Sequence, residues 1–109
     1  MLHDLRFYIE LHLDANLSIA ALVKFSGLNK DKIITGFRTL FGTTVHQFIK
    51  QRRLEKAKHY LLQTDKPIKQ IAAFVGYSQR NFFAAFLAHH GQTPAAVRRQ
   101  KDDEQPTLF

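Results

Sequence analysis

Residues 19–44 lie over residues 68–93 without a gap, and this internal repeat restricts the fold more tightly than any other feature of the 109-residue chain. Ile19 meets Ile68, Phe25 meets Phe74, Gly27 meets Gly76, Phe37 meets Phe86, Gly42 meets Gly91 and Thr44 meets Thr93, all at an offset of 49. Leu22/Ile71 and Ile33/Phe82 match in apolar character. Each copy reads as a short helix, a glycine, a short polar turn and a second helix. In a helix-turn-helix, a small residue four before the turn glycine lets the helices cross closely, and an apolar residue six after it locks the second helix. Copy two carries Ala72, Gly76 and Phe82 at those places; copy one carries Val23, Gly27 and Ile33, with a bulkier first member. An ordinary helical hairpin can share this spacing without touching DNA. Two copies in tandem on a basic chain favour DNA.

Helix signals surround the repeat, and β-branched alternation is nowhere sustained. Leu2, Leu5, Tyr8, Ile9 and Leu13 mark a first helix that ends at Asp14-Ala15-Asn16. Ser18 is placed to cap a second helix with Ile19, Leu22, Val23 and Phe25, and Asn29 a third with Ile33, Phe37, Leu40 and Phe41 on one face. Thr44 opens the longest segment, whose stripe is Val45, Phe48, Ile49, Leu54, Ala57, Leu61 and Leu62. Pro67 falls at a first helical position, Ser78 caps a sixth helix with Phe82 and Phe86 inward, and Thr93-Pro94 starts a seventh running to about Gln100. The expectation is an all-α chain of seven helices, with a double helix-turn-helix domain over residues 1–101. Its parts are a first helix-turn-helix over 18–42, a linker helix over 44–63 and a second helix-turn-helix over 67–91, followed by a disordered acidic tail over 102–109.

Charge narrows the function. The net charge is +7 and the isoelectric point about 10.0. Three of the nine acids form the run Asp102-Asp103-Glu104, so residues 1–101 hold sixteen Lys and Arg against six acids, a net +10. Such an excess suits a polyanion, because each phosphate neutralised releases a condensed counterion. The absence of cysteine excludes a thiol nucleophile and a thiolate metal site. No paired carboxylates, phosphate-cradling glycine loop or Ser-His-Asp arrangement suggests an enzyme. His89 and His90 are neighbours whose side chains point apart on a helix, so no metal or other cofactor is expected. No apolar run approaches the ~20 residues of a membrane span, and the N-terminus lacks a signal-peptide pattern, so a cytoplasmic, membrane-free protein is expected.

Gly27-Leu28, Phe37-Arg38-Thr39-Leu40-Phe41-Gly42 and Arg53-Leu54-Glu55-Lys56-Ala57 with Leu61-Leu62 together resemble the DNA-binding domain of the AraC/XylS family of transcription regulators. The likeness continues through Ile68-Lys69-Gln70-Ile71-Ala72, Val75-Gly76-Tyr77-Ser78, Phe82, Phe86 and Gly91-Gln92-Thr93-Pro94, covering residues 3–100. The stretch Gly36–Val45 is similar to the pyochelin-type siderophore regulators of that family. The resemblance implies two subdomains joined by the long helix, and two recognition helices entering successive major-groove segments. A linker of about 19 residues is ~28 Å long, comparable to the ~34 Å between grooves one turn apart. The resemblance also implies a bacterial regulator, RNA polymerase as a further partner, and an effector-binding domain missing from this chain; the domain itself is expected to be monomeric. The sequence departs from the family at Ser78-Gln79-Arg80-Asn81, one residue shorter than the usual second turn, and at Ala84, where arginine is common. Gly36 falls inside the first recognition helix, where glycine lowers stability by up to ~1 kcal/mol relative to alanine.

The outward residues of the recognition helices are the candidate readers. Asp31 can accept from cytosine N4, and Ile34 and Thr35 can meet a thymine methyl; Gln79 and Asn81 suit adenine, and Arg80 suits guanine O6 and N7. Phe83 stands at the offset partner of Ile34, and both are expected outside. Lys30, Lys32 and Arg38 on the first reader, with Arg52, Arg53, Lys56, Arg98 and Arg99 elsewhere, are the expected phosphate contacts. The alternative is a helical protein-interaction module that uses exposed Ile34 and Phe83. Such a module has no need of the +10 charge.

Overall fold

The computed structural model describes the backbone of residues 2–104 and the side chains of residues 2–101. The described residues form seven helices: α1 Leu2–Leu11, α2 Ile19–Ser26, α3 Lys30–Phe41, α4 Val45–Gln63, α5 Ile68–Phe74, α6 Gln79–His90 and α7 Pro94–Glu104. The chain is all-α, as the periodicity implies. It divides into two compact units between Arg53 and Leu54, inside α4.

The caps follow the repeat. Ser18 Oγ accepts from Ala21 N at 3.2 Å, Asn29 Oδ1 from Lys32 N at 2.8 Å, and Ser78 Oγ from Asn81 N at 3.2 Å. Thr44 Oγ1 and Thr93 Oγ1 do the same for α4 and α7 at 3.1 and 3.0 Å. Each bond satisfies an amide that the first helical turn leaves without a partner. Asn29 and Ser78 differ by the same 49 residues as the rest of the repeat, so the two turns of this chain are equally long. Gly27 and Gly76 take φ of +74° and +86° in those turns, a left-handed conformation that a Cβ resists. Pro67 is a correction: it precedes α5 at φ −56° and ψ 142° and offers no side-chain bond. Its extended ψ places it one residue before the helical position expected of it.

In the first unit, the buried set is Leu5, Ile9, Leu13, Leu17, Leu22, Ile33, Phe37, Val45 and Ile49. In the second it is Leu54, Ala57, Leu61, Ile71, Ala72, Val75, Phe82, Phe86 and Val97. The matched pairs Leu22/Ile71, Ile33/Phe82 and Phe37/Phe86 are thus core in both copies. The first half of α4 supplies one core and the second half the other. Phe25 and Phe74 break the pattern: they are identical across the repeat yet 51% and 47% exposed. Phe25 stacks on Tyr8 at 3.7 Å between ring centroids, and Lys66 lies 5.1 Å from the Phe74 ring centre. Leu40, grouped with the inward face of α3 by its spacing, is also 51% exposed.

At the C-terminal end, α7 runs through Asp102, Asp103 and Glu104 rather than ending near Gln100. No glycine or proline follows Pro94 before Pro106, so nothing in the sequence halts the helix at Gln100. Residues 105–109, the remainder of the expected disordered tail, lie outside the described residues.

Candidate nucleic-acid interface

The same construction presents α3 and α6. A glycine in a left-handed turn reverses the chain, a side-chain cap starts the helix two residues later, and two aromatic or aliphatic residues four apart pin its inner face. Ile33 and Phe37 pin α3, Phe82 and Phe86 pin α6, and all four are at most 2% exposed. The opposite arc of each helix is therefore free to meet a partner. On α3, Lys30, Asp31, Lys32, Ile34, Thr35 and Arg38 are exposed, as expected of them. Asn29, Asp31, Lys32 and Thr35 border an open cleft of about 750 Å³, closed on its other side by Leu2 and His3 of α1. Gly36 gains a role here. A Cβ at this position would run into Leu2 Cδ1, so the glycine lets the start of α1 lie against α3.

On α6, Gln79, Arg80, Asn81, Phe83 and Ala84 are exposed, again as expected. The repeat places Arg80 opposite Asp31, so the opening turns of the two helices carry opposite charges at equivalent positions. Sequence reasoning missed Leu87, which is 40% exposed on the outer arc of α6 beside Phe83, itself 53% exposed. The signal was available: its repeat partner is Arg38, an outward residue.

The expected phosphate contacts separate into two groups. Lys30, Lys32 and Arg38 on α3 and Arg99 on α7 are exposed cations, and Lys56 is half-buried. Arg52 is tied to Glu10 of α1, Nε to Oε1 at 3.1 Å. Arg53 and Arg98 are placed otherwise than expected. Arg53 donates from Nε to Leu13 O at 2.9 Å and from Nη2 to Ala15 O at 3.1 Å. Arg98 donates from Nε to Leu61 O at 3.0 Å and from Nη2 to Lys66 O at 2.8 Å. In each unit an arginine from the last helix thus holds carbonyls at and beyond the end of the first helix. Those carbonyls lack helical partners, and a planar guanidinium can bridge two of them. A bond to main chain leaves no mark in the residue pattern, which registers only a basic residue.

His90 is likewise a packing residue. Its Nε2 lies 2.9 Å from Leu54 O, and its ring sits 4.4 Å from that of Phe86. Burial lowers its pKa below the ordinary 6.5, with the Leu54 carbonyl opposing the shift. In the loop between α4 and α5, Asp65 pairs with Lys101 of α7, whose hydrogen bond and charge lower the carboxyl's pKa.

Comparison with known proteins agrees with this geometry. A family model described as a helix-turn-helix domain matches residues 22–100. Regulatory protein SoxS of Escherichia coli K12 is 36% identical over 101 residues, spanning 92% of this chain and 94% of SoxS. The probable transcriptional regulator LumQ of Photobacterium leiognathi is 34% identical over 88 residues, 80% of this chain but only 36% of LumQ. Among solved structures, the C-terminal domain of AraT, a response regulator from Geobacillus stearothermophilus, superposes with a TM-score of 0.90 at 27% identity, covering 99% of this chain and 92% of that one. The DNA-binding domain of AdpA, solved with a target DNA, superposes with a TM-score of 0.89 over 97% of this chain and 96% of its own; at 21% identity this is a likeness of fold.

Proposed function

The chain belongs to the AraC/XylS family of helix-turn-helix transcription regulators, and from that premise we propose that it reads duplex DNA with α3 and α6, each in its own major-groove segment, successive along one DNA face. The observation that carries this reading is the twofold presentation of a pinned helix with an exposed outer arc, on a chain with +10 over residues 1–101. Asp31, Thr35, Gln79, Arg80 and Asn81 reach base edges, with Ile34 and Phe83 at the flank of each helix. Lys30, Lys32, Arg38, Lys56 and Arg99 neutralise phosphates, and Arg52 does so only if it leaves Glu10. Arg53 and Arg98 hold the units in shape instead.

Other parts of the reading rest on the family alone. SoxS is matched over 94% of its length, whereas this chain spans about a third of LumQ, which fits a reading domain that also occurs within longer proteins. We place the chain in the bacterial cytoplasm as a non-enzymatic, monomeric DNA-reading domain that contacts RNA polymerase and activates transcription. Among the described residues no helix is long and apolar enough to cross a membrane. The placement beside the siderophore regulators rests on Gly36–Val45 only. A second reading, a protein-interaction module, draws on exposed Ile34 and Phe83, at 43% and 53%; it leaves the charge without a purpose.

Affinity for a random-sequence duplex, measured across a salt series, tests the DNA reading. Log affinity falls linearly with log salt, each phosphate contact adding roughly 0.9 to the slope. A flat response, or no binding at low salt, contradicts it.

A further inference from the structure

The outer arcs of α3 and α6 are built alike but differ in chemistry. On α3 the exposed positions past the first turn include Thr35, Arg38 and Thr39, each with a hydrogen-bonding group. Their repeat partners on α6 are Ala84, Leu87 and Ala88, also exposed, and Phe83 beside them replaces Ile34. Beyond its opening turn, then, the groove-facing arc of α6 offers no donor or acceptor. Leu87 and Phe83 are 40% and 53% exposed, which leaves an apolar strip in water. The strip continues from Arg80, which lies four and seven residues before Ala84 and Leu87 and so on the same helix face.

We infer that α6 reads thymine 5-methyl groups through Leu87 and Ala84, with Phe83 at the edge, so that the DNA segment it faces is chosen by apolar contact rather than by hydrogen bonds past the first turn. In the major groove the only apolar feature of a base edge is the thymine methyl. An arc without hydrogen-bonding groups pairs with no polar atom of any base pair, thymine O4 and adenine N6 and N7 included. Thymine is therefore distinguished by the methyl it adds, whose burial against the strip is favourable. Charge complementarity fixes the occupant as DNA, since Arg80 sits on the same arc and the chain is strongly basic. This inference rests on the DNA reading proposed above and adds to it the chemistry of one half-site.

The test replaces thymidine by deoxyuridine, which removes the methyl and keeps base pairing. A duplex preferred by the protein is obtained by selection at fixed salt, and the segment under α6 is identified as the one whose base preference shifts in Arg80→Ala. Each thymidine of that segment is then replaced singly. Wild-type affinity should fall about fourfold at one or two positions, the ordinary worth of burying one methyl group. In Leu87→Ala, whose side chain is surface-exposed and outside the core, the same replacement should have little further effect. Three results would overturn the inference. One is a duplex bound tightly but indifferent to every replacement, which would free the strip for a protein surface. Another is an equal loss in wild type and in both Leu87→Ala and Ala84→Ser. The third, no binding to any duplex at low salt, removes the DNA reading itself and is told apart because it is seen before any replacement is made.

Discussion

Arg53 and Arg98 each carry a positive charge on a strongly basic chain, and each turns its guanidinium onto two main-chain oxygens of its own unit. The fork geometry matters here as much as the charge, because one ammonium cannot bridge both acceptors in the same way. Arg53→Lys should therefore behave like Arg53→Ala, each losing about 1–3 kcal/mol of stability, the usual worth of hydrogen bonds from a charged donor. The salt slope of DNA binding should stay unchanged in both. A slope reduced by about one with stability intact would put Arg53 on a phosphate after all. His90 gives a pH signature. Its folded-state pKa lies below its unfolded value, so the unfolded chain binds the proton first. The stability it contributes is complete above the unfolded pKa and declines as pH falls through that value toward the folded one. Thermal melts between about pH 7 and pH 5 should show a decline in wild type that is shallower in His90→Gln; parallel declines would remove His90 from the explanation. None of this was readable beforehand, since the sequence identifies a basic residue but not the carbonyl it meets.

At the level of elements, the repeat and the caps were readable because they rest on local chemistry: a hydroxyl or amide three residues ahead of an amide, and a glycine where the backbone turns left-handed. Gly27 tests that logic cleanly. Nothing lies within 4 Å of a Cβ built on it, so Gly27→Ala meets no clash and pays only for the left-handed φ, roughly 1–2 kcal/mol. A loss near zero in chemical denaturation would mean that the turn relaxes to another conformation. Burial was less readable. Phe25 and Phe74 match across the copies and occur in apolar runs, yet both stand half in water. Identity between copies selects residues used alike, and that need not mean core. The long helix α4 misled for a related reason. Its stripe steps five residues from Ile49 to Leu54, where a helical face calls for three or four, because its two halves serve different cores. Gly36 was read as a cost to α3, whereas its lack of a side chain makes room for Leu2.

For the whole molecule, the claim is that one chain carries two non-identical readers of duplex DNA. The candidate readers were identifiable from the repeat, since outward positions in one copy predict outward positions in the other, and Leu87 would have been found by the same rule. The arginine clasps, the Glu10–Arg52 pair and the cleft beside α3 were beyond the sequence, because each joins residues far apart along the chain. Opposite charges at Asp31 and Arg80, and an apolar arc on α6 alone, mean that the two DNA boxes should differ. The direct measurement is selection of bound sites from a random duplex pool at a stated salt concentration, with the selected sequences aligned. The expected result is an asymmetric site of two unlike short boxes, centred about 10 base pairs apart, with guanine favoured in only one of them. Recovery of a perfect palindrome bound by a single copy, or of no sequence preference, would contradict it.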